Sequence, residues 1–310
     1  MSAAVPITAD GDGRTRVRLA ELVALRARVA KAALPRLESR AMKYGQQSSR
    51  LYGRGMDYAE SRVYQPGDDV RRLDWRLTAR SGKLHTKLFQ EEREGRLLIL
   101  LDAHESMRFG TRVRLKSVQA ARAAALAAWY AVRAGERVGL MSFGNGHRML
   151  RPQAGTRGAL AVCGALADWD AGEQSVAGEP LSDAILRAAR LMHGANRVLL
   201  ISDGLSCDEG ARGHLLDLSH KAGVRVLVVA DALELGLPPA GRYPMEHDGV
   251  RRDVTLFGER QRREFQQALG AGQTRLNAMA QALALPHATI DTAADPLDAV
   301  MSLLTRGVRR

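Results

Sequence analysis

Five consecutive apolar residues, 97–101, run directly into Asp102, and this stretch constrains the fold more than any other part of the chain. Polar residues follow it, and then a long Ala-rich segment with helical spacing. A short apolar run followed by a loop and a helix is typical of a strand buried on both faces of a parallel sheet. Ligands of open α/β sheets bind beyond the carboxyl ends of such strands. The loop with Asp102, His104 and Ser106 is therefore a candidate binding site, and their alternation along an extended loop would aim all three to one side.

Apolar strands and amphipathic helices continue to alternate through the C-terminal two thirds of the chain. We predict strands at residues 137–143, 147–151, 198–201, 224–229 and 287–290, and helices at 113–134, 157–168, 181–192, 211–221, 259–284 and from 296. Residues 231–257 are predicted to be a long connection. This alternation predicts an α/β fold with a doubly wound, mostly parallel sheet covered by helices.

The chain divides into three parts by composition. Residues 1–13 are small and polar and are predicted to be disordered. Residues 14–94 are predicted to form an N-terminal helix over 14–43, kinked at Pro35, followed by a small basic β-rich insertion in which Asp68 or Asp69 caps a short helix. Residues 95–310 form the predicted α/β domain.

The chain is strongly basic, with a net charge of +12. Most of this excess lies in residues 14–93, which hold 19 Lys and Arg against 9 Asp and Glu. Such a segment implies an acidic protein surface, nucleic acid or anionic lipid as partner, or else a solvated basic face. Nucleic acid is disfavoured because the sequence has no helix-turn-helix, zinc-finger or RNA-recognition signature.

Two features of the sequence bear on its compartment. No apolar run approaches the length of a membrane-spanning helix, and the N-terminus lacks the pattern of a secretory signal. Cys163 and Cys207 have no metal-type spacing and suit a reducing environment. We therefore expect a cytoplasmic protein without a membrane span.

A second carboxylate, Asp203, follows the strand at 198–201 as Asp102 follows the first. The pair resembles the metal-ion-dependent adhesion site of von Willebrand factor type A domains, where an Asp-x-Ser-x-Ser loop, a Thr and a further Asp surround Mg²⁺. Asp102 and Ser106 fit the first loop, but His104 replaces its first serine. Glu179 stands at the Thr position, and Asp203 fits the third loop. The resemblance therefore implies a degenerate form of this site.

Several interpretations of this altered site remain open. Glu179 could ligate the ion while His104 shifts the preference from Mg²⁺ toward Mn²⁺ or Zn²⁺. Alternatively, a protonated His104 pairs with a carboxylate and replaces the cation, or the loop is polar and binds nothing. A metal-dependent hydrolase at the same crevice is a further alternative. A hydrolase with a triad of Asp102, His104 and Ser106 is disfavoured, because residues two apart on one loop cannot easily lie on opposite sides of one another.

The block at residues 64–93 is similar to the hallmark of the domain-of-unknown-function 58 (DUF58) family. It reads Tyr64-x-Pro66-Gly67-Asp68-Asp69-Val70-Arg71-x-x-Asp74-Trp75-x-x-x-Ala79-Arg80-x-Gly82-x-Leu84-x-x-Lys87, then Glu91-Glu92-Arg93. Members join this block to a divergent von Willebrand type A domain. The resemblance implies work with a MoxR-type AAA+ ATPase in chaperone-like assembly or stress response.

The arginines of this block have two interpretations. They could form an Arg–carboxylate network with Asp68, Asp69 and Asp74, with Trp75 as its apolar anchor. Alternatively, their free face docks an acidic surface of the ATPase. The candidate partner-binding residues are Arg71, Arg72, Arg76 and Arg80.

Together these features predict a non-enzymatic protein-interaction module. Its partner would be a MoxR-type AAA+ ATPase or that enzyme's client protein. No cofactor is certain, and Mg²⁺ or Mn²⁺ are the candidate ions. The candidate metal-site residues are Asp102, His104, Ser106, Glu179 and Asp203.

Overall fold

The computed structural model describes residues 11–32, 56–91, 95–172, 178–191, 197–247 and 250–305 of the 310-residue chain. These fall into two compact units. The α/β unit comprises residues 1–35 and 95–310, and the basic unit comprises residues 36–94. The N-terminal helix thus lies in the α/β unit, whereas the sequence analysis grouped it with the basic segment. Disorder was predicted for residues 1–13. Residues 1–10 lie outside the described residues, whereas residues 11–13 are described and Asp12 lies in a hydrogen-bonded turn.

The elements of both units are numbered together in chain order. The strands are β1 (Met56–Val63), β2 (His85–Glu91), β3 (Arg96–Asp102), β4 (Arg137–Phe143), β5 (Met149–Gln153), β6 (Arg197–Ser202), β7 (Gly223–Ala230), β8 (Gly241–His247), β9 (Val250–Leu256) and β10 (His287–Asp291). The α-helices are α1 (Leu19–Lys31), α2 (Trp75–Ser81), α3 (Lys116–Arg133), α4 (Gly155–Ala171), α5 (Leu181–Leu191), α6 (Ala211–Lys221), α7 (Ala232–Leu235), α8 (Glu259–Leu269), α9 (Ala271–Ala282) and α10 (Leu297–Thr305). Short 3₁₀ helices cover Val70–Arg72 and Glu105–Arg108.

The α/β unit is built on a six-stranded sheet in the order β10-β7-β6-β3-β4-β5. All neighbouring strands are parallel except the edge strand β5, which runs antiparallel to β4. β3 lies in the middle, and Leu97 and Ile99 on one face and Leu98 and Leu100 on the other are all buried. The predicted doubly wound, mostly parallel sheet is therefore confirmed.

The Ala-rich helix α3 lies at the centre of the layer on one face of the sheet. Its small side chains allow α1, α4 and α10 to pack closely against it, so that nearly all of it is buried. The indole Nε1 of Trp129 donates a hydrogen bond to the carbonyl oxygen of Leu22 on α1 (3.0 Å). A helix that is apolar on all sides belongs in the core of a protein. No helix in the described part of the chain combines the length and apolar character needed to cross a bilayer.

The opposite face of the sheet is covered by α5, α6 and α9. Ile185, Leu215 and Leu276 from these helices form one apolar cluster with Leu98 and Leu100 of β3. The sheet is thus sandwiched between two helical layers, and only its ends are open to ligands.

Two predictions in the C-terminal third were wrong. Residues 231–257 are not a plain connection, because they contain α7 and the antiparallel hairpin β8–β9. The single helix predicted over 259–284 is divided at Gly270 into α8 and α9. A Cβ atom at this position would lie 2.7 Å from the carbonyl oxygen of Glu234, so the close approach of α7 requires glycine here.

The N-terminal helix begins later than predicted. The Asp12 carboxylate accepts hydrogen bonds from the backbone N–H groups of residues 14, 15 and 16, and this turn holds them out of a helix. The helix therefore starts at Leu19 and ends at Lys31. Its predicted continuation to residue 43 and the kink at Pro35 lie outside the described residues.

The basic unit consists of the antiparallel pair β1–β2 with α2 in the chain between them, which confirms the small β-rich insertion. Asp74 caps α2 by accepting a hydrogen bond from the backbone N–H of Leu77 (3.1 Å). The predicted caps were Asp68 or Asp69, and of these Asp69 caps the preceding 3₁₀ helix instead. Leu73 and Thr86 supply the buried contacts.

Candidate functional site

The strand order of the sheet reverses between β3 and β6, and the loops after these strands lie side by side. β3 pairs in parallel with both β4 and β6, so the connections leave this point in opposite directions. Such a switch point opens a crevice at the carboxyl edge of the sheet. Asp102 is the last residue of β3, and Asp203 directly follows β6.

The Asp102 carboxylate is 2% exposed and accepts four hydrogen bonds. Its Oδ1 accepts from the backbone N–H (3.0 Å) and the imidazole Nδ1 (2.7 Å) of His104. Its Oδ2 accepts from the hydroxyls of Ser202 (2.5 Å) and Ser206 (3.0 Å). An ionised carboxylate offers about four lone-pair sites, so every site of Asp102 is used by the protein itself.

His104 is held between two glycines. A Cβ atom at Gly144, whose φ is +91°, would lie 2.5 Å from His104 Nδ1, and a Cβ atom at Gly178 would lie 3.1 Å from Nε2. The ring also meets Phe143 edge-on, with 5.7 Å between centroids. Because Asp102 only accepts hydrogen bonds when ionised, His104 Nδ1 is the donor in their contact.

The protonation of His104 reflects two opposed effects. Burial lowers the pKa of His104, but the hydrogen bond and charge of Asp102, with the charges of Asp203 and Glu179, outweigh it and raise the pKa above its ordinary value. The surrounding carboxylates therefore favour the imidazolium form of His104, in which Nδ1 donates to Asp102.

Asp203 is paired with a buried lysine. Lys116, the first residue of α3, is 1% exposed, and its Nζ donates to Asp203 Oδ2 (2.8 Å) and to Glu234 Oε1 (2.7 Å). Burial lowers the pKa of Lys116, but the charges of these two carboxylates raise it above its ordinary value. The backbone N–H of Leu205 donates to Asp203 Oδ1 (3.0 Å).

Glu179 is paired with a third cation. Arg187 on α5 binds it through two hydrogen bonds, Nε to Oε1 (3.0 Å) and Nη2 to Oε2 (2.6 Å). Arg187 also donates to the carbonyl oxygen of Ser142 (2.8 Å), which ties the pair to β4. The exposed His147 lies 3.5 Å from Glu179.

Ser106 differs from the other candidate ligands. It lies in the 3₁₀ helix Glu105–Arg108, which replaces the expected extended loop, so Asp102, His104 and Ser106 do not point to one side. Its hydroxyl is buried and has no hydrogen-bond partner in the described part of the chain. A serine nucleophile is activated by a hydrogen bond to its base, and this contact with His104 is missing.

These donors do not fit a divalent cation. Mg²⁺ needs several oxygen ligands with unused lone pairs in a near-octahedral arrangement. The four sites of Asp102 are filled, and Asp203 and Glu179 each hold a cationic side chain. Among the described residues, no group of three or more His, Cys, Asp or Glu is placed to hold a metal ion.

The predicted Arg–carboxylate network of the basic unit is largely replaced by other contacts. Asp68 pairs with Arg62 (2.7 Å), and Asp74 accepts from the hydroxyl of Ser61 (2.7 Å) as well as from α2. Arg72 approaches Asp69 at only 4.0 Å. Asp69 and Asp74 thus cap helices, and Asp68 binds an arginine outside the block.

The predicted role of Trp75 as an apolar anchor was wrong. Its side chain is 66% exposed, whereas the neighbouring Leu73 fills the interior. The remaining candidate partner-binding residues, Arg71, Arg76 and Arg80, are also exposed. This face of the basic unit is therefore presented to solvent.

The sequence analysis missed the partners of the three carboxylates. One indication of Lys116 was present in the sequence, because a lysine beside the apolar stripe of α3 lies either in an exposed turn or in a buried ion pair. Arg187, Ser202 and Ser206 carried none, since polar residues at helix surfaces and strand ends are common.

The sheet order, the antiparallel edge strand and the acidic loops at the switch point define a von Willebrand factor type A-like α/β module. More particularly, the chain belongs to the DUF58 family, described as "Protein of unknown function DUF58", whose match covers residues 60–275. That range includes residues of both the basic unit and the α/β unit.

The relatives share a long stretch of the chain. Uncharacterized proteins of Mycobacterium bovis and Mycobacterium tuberculosis are 30% identical over 217 residues, which cover 69% of this chain and 68% of each relative. Among solved structures, the conserved hypothetical protein BatB from Bacteroides thetaiotaomicron is 18% identical, with 68% of this chain and 98% of that chain covered and a TM-score of 0.42. The SpRpn10 VWA domain is 11% identical, with 67% and 94% covered and a TM-score of 0.36. The fold assignment rests on the strand order of the central sheet.

Proposed function

We propose that this chain is a non-enzymatic protein-interaction module that docks a partner at the carboxyl edge of its sheet without a divalent cation. The supporting observation is that each carboxylate of the crevice has a cation of its own. The pairs are Asp102 with His104, Asp203 with Lys116, and Glu179 with Arg187. The loops are thus held in place by internal charges, and binding falls to the exposed residues on their rim.

The partner we propose is a MoxR-type AAA+ ATPase or its client protein, in chaperone-like assembly or stress response. The DUF58 resemblance supports this choice. The sequence contains no Gly-x-x-x-x-Gly-Lys-Ser/Thr loop of the kind that binds ATP phosphates. ATP hydrolysis is therefore assigned to the partner.

The metal-free site is tested by calorimetric titration of metal-stripped protein with Mg²⁺ and Mn²⁺. We expect no binding heat at millimolar ion, in the wild type or in the Asp102→Ala and Asp203→Ala variants. Heat that disappears in both variants but persists in the exposed control Asp217→Ala would establish a working metal site and overturn the proposal.

Docking is tested at the exposed rim, because the carboxylates of the crevice are buried and paired with internal cations, so a partner contacts the rim first. Glu105, His147 and Leu205 lie exposed on the loops after β3, β4 and β6. Their triple Ala variant should lose capture of a MoxR-type ATPase from the same organism, while Arg251→Ala on the hairpin should retain it. Equal capture by both variants would refute docking at this edge.

A further inference from the structure

A second surface, on the basic unit, has the composition of a binding site. The solvent-facing side of α2 carries Trp75, Arg76, Ala79 and Arg80, which are all exposed. Residues four apart on a helix lie on the same side, so Trp75 stacks above Ala79 and Arg76 above Arg80. We call these four residues the α2 face.

The fold of the basic unit does not need this tryptophan. α2 is fixed by the Asp74 cap and by the buried Leu73 and Thr86 that precede and follow it. Trp75 leaves two thirds of its surface in water, although tryptophan is the side chain with the largest apolar area to bury. Trp75 is therefore available for a contact with another molecule.

The charge on the α2 face is uncompensated. Within the described residues of this unit, Arg76 and Arg80 form no ion pair or side-chain hydrogen bond, and neither does the neighbouring Arg71. The nearby acids are used elsewhere, since Asp68 binds Arg62 and Asp74 caps the helix. The face is therefore an apolar centre with positive charges beside it.

We propose that the α2 face docks an acidic segment of a partner protein. Trp75 supplies the buried apolar contact, and Arg76 and Arg80 bind carboxylates of that segment in the bidentate geometry that guanidinium favours. Tryptophan and arginine are the residues most enriched among those that dominate binding energy at protein interfaces. This proposal is independent of the crevice and of any metal ion.

The chemistry of the face favours protein over nucleic acid. Single-stranded nucleic acid is bound by several aromatic side chains that stack successive bases along a positive groove. The α2 face offers one aromatic ring on a single short helix. One apolar anchor with two cations on one side of it matches an acidic peptide that carries an apolar residue next to its glutamates.

The experiment follows the fluorescence of Trp75, taken as the difference between the wild type and Trp75→Phe. The probe is a Glu-rich synthetic peptide with two central leucines, titrated into the full chain. We expect a blue shift of this fluorescence on binding. Calorimetric titration of the same peptide, which does not depend on Trp75 emission, should show about 30-fold weaker affinity in Trp75→Ala and about tenfold weaker affinity in Arg76→Gln/Arg80→Gln. Thermal unfolding should be unchanged, because these side chains are exposed.

The hairpin β8–β9 provides a matched control. Arg251 and Arg252 are also adjacent exposed arginines, so Arg251→Gln/Arg252→Gln removes the same charge and should leave the affinity unchanged. Equal weakening by both pairs would show non-specific attraction and overturn the proposal. So would tighter, Trp75-dependent binding of a single-stranded oligonucleotide, or a Trp75 that acrylamide cannot quench in the free chain.

Discussion

Replacing Lys116 with methionine tests whether a buried cation holds the carboxyl edge of the sheet together. Methionine occupies much of the volume of the lysine stem, so the change mainly removes the charge. Lys116 is 1% exposed and binds Asp203 and Glu234 at 2.8 and 2.7 Å. The variant therefore leaves two buried carboxylates without their counter-ion.

The expected loss follows from the proton that the variant must bind. Asp203 and Glu234 both contact the Lys116 ammonium in the wild type, so without it their negative charges would lie close together. Protonation of Glu234 in the folded state avoids this repulsion. At pH 7, protonating a glutamate whose unfolded pKa is about 4.3 costs about 3.7 kcal/mol, since each pKa unit is worth about 1.36 kcal/mol. Breaking a buried ion pair by removing one partner costs about 3–5 kcal/mol. We expect the free energy of unfolding to fall by this amount.

The loss of unfolding free energy is measured by urea unfolding, monitored by circular dichroism. The control is Lys221→Met at the exposed end of α6, for which we expect a change near zero. In the variant the folded-state pKa of Glu234 is raised above its unfolded value. Protonation of Glu234 therefore stabilises the folded variant fully below about pH 4, and this stabilisation is lost as pH rises. The difference in free energy of unfolding between wild type and variant should shrink to about 1 kcal/mol at pH 5. A variant that folds only in acid would support the same conclusion. A loss under about 1 kcal/mol at pH 7 would refute the reasoning.

Three further predictions concern the cysteines and glycines. Burial raises the pKa of Cys163 to about 12 and of Cys207 to about 11. A thiol reagent at about pH 8 should therefore label neither cysteine in native protein and both in urea. Because the unfolded thiols lose their protons first, the free energy of unfolding should fall as pH rises above about 9. Gly144→Ala should lower the free energy of unfolding by at least about 2 kcal/mol, because φ is +91° and the new methyl group meets His104. Gly164→Ala, in the open middle of α4, should raise the free energy of unfolding by up to about 1 kcal/mol. Both glycine variants are measured by urea unfolding, and a loss of stability in Gly164→Ala would contradict the helix assignment.

The sheet was predictable because its signals are local. The apolar run at 97–101 is too short for a buried helix and ends in a charged residue, which fixes both the strand and its carboxyl end. The Ala-rich segment that follows it has helical spacing along its whole length. Adjacent segments with different periods define the alternation of strands and helices, and the alternation defines the fold class.

The elements that were missed depend on contacts between distant residues. The apolar spacing of α8 and α9 reads as one helix, and a single Gly270 is tolerated inside many helices. Only the position of α7, whose Glu234 carbonyl oxygen approaches this glycine, ends the first helix there. The hairpin β8–β9 was hidden for a local reason, since β9 is mostly exposed with little alternation and β8 contains Pro244, a residue that argues against a strand.

The candidate site shows the same division between local and distant information. Strand ends are read from the sequence, so Asp102 and Asp203 were identifiable as residues of the sheet edge. Lys116 is 87 residues from Asp203, and no local pattern relates the two. The role of Trp75 as an anchor was inferred from its apolar character alone, whereas packing gave the interior to Leu73.

The internal cations separate two tasks that a metal-dependent adhesion site combines. In such a site one ion both holds the loops together and takes a carboxylate from the partner. Here His104, Lys116 and Arg187 hold the loops, and none of these charges is free to take a partner's carboxylate. Attraction for an acidic partner must then come from cations that have no acid of their own. Arg76 and Arg80 on the α2 face form no ion pair among the described residues of the basic unit, and they are the cations that we propose for this task.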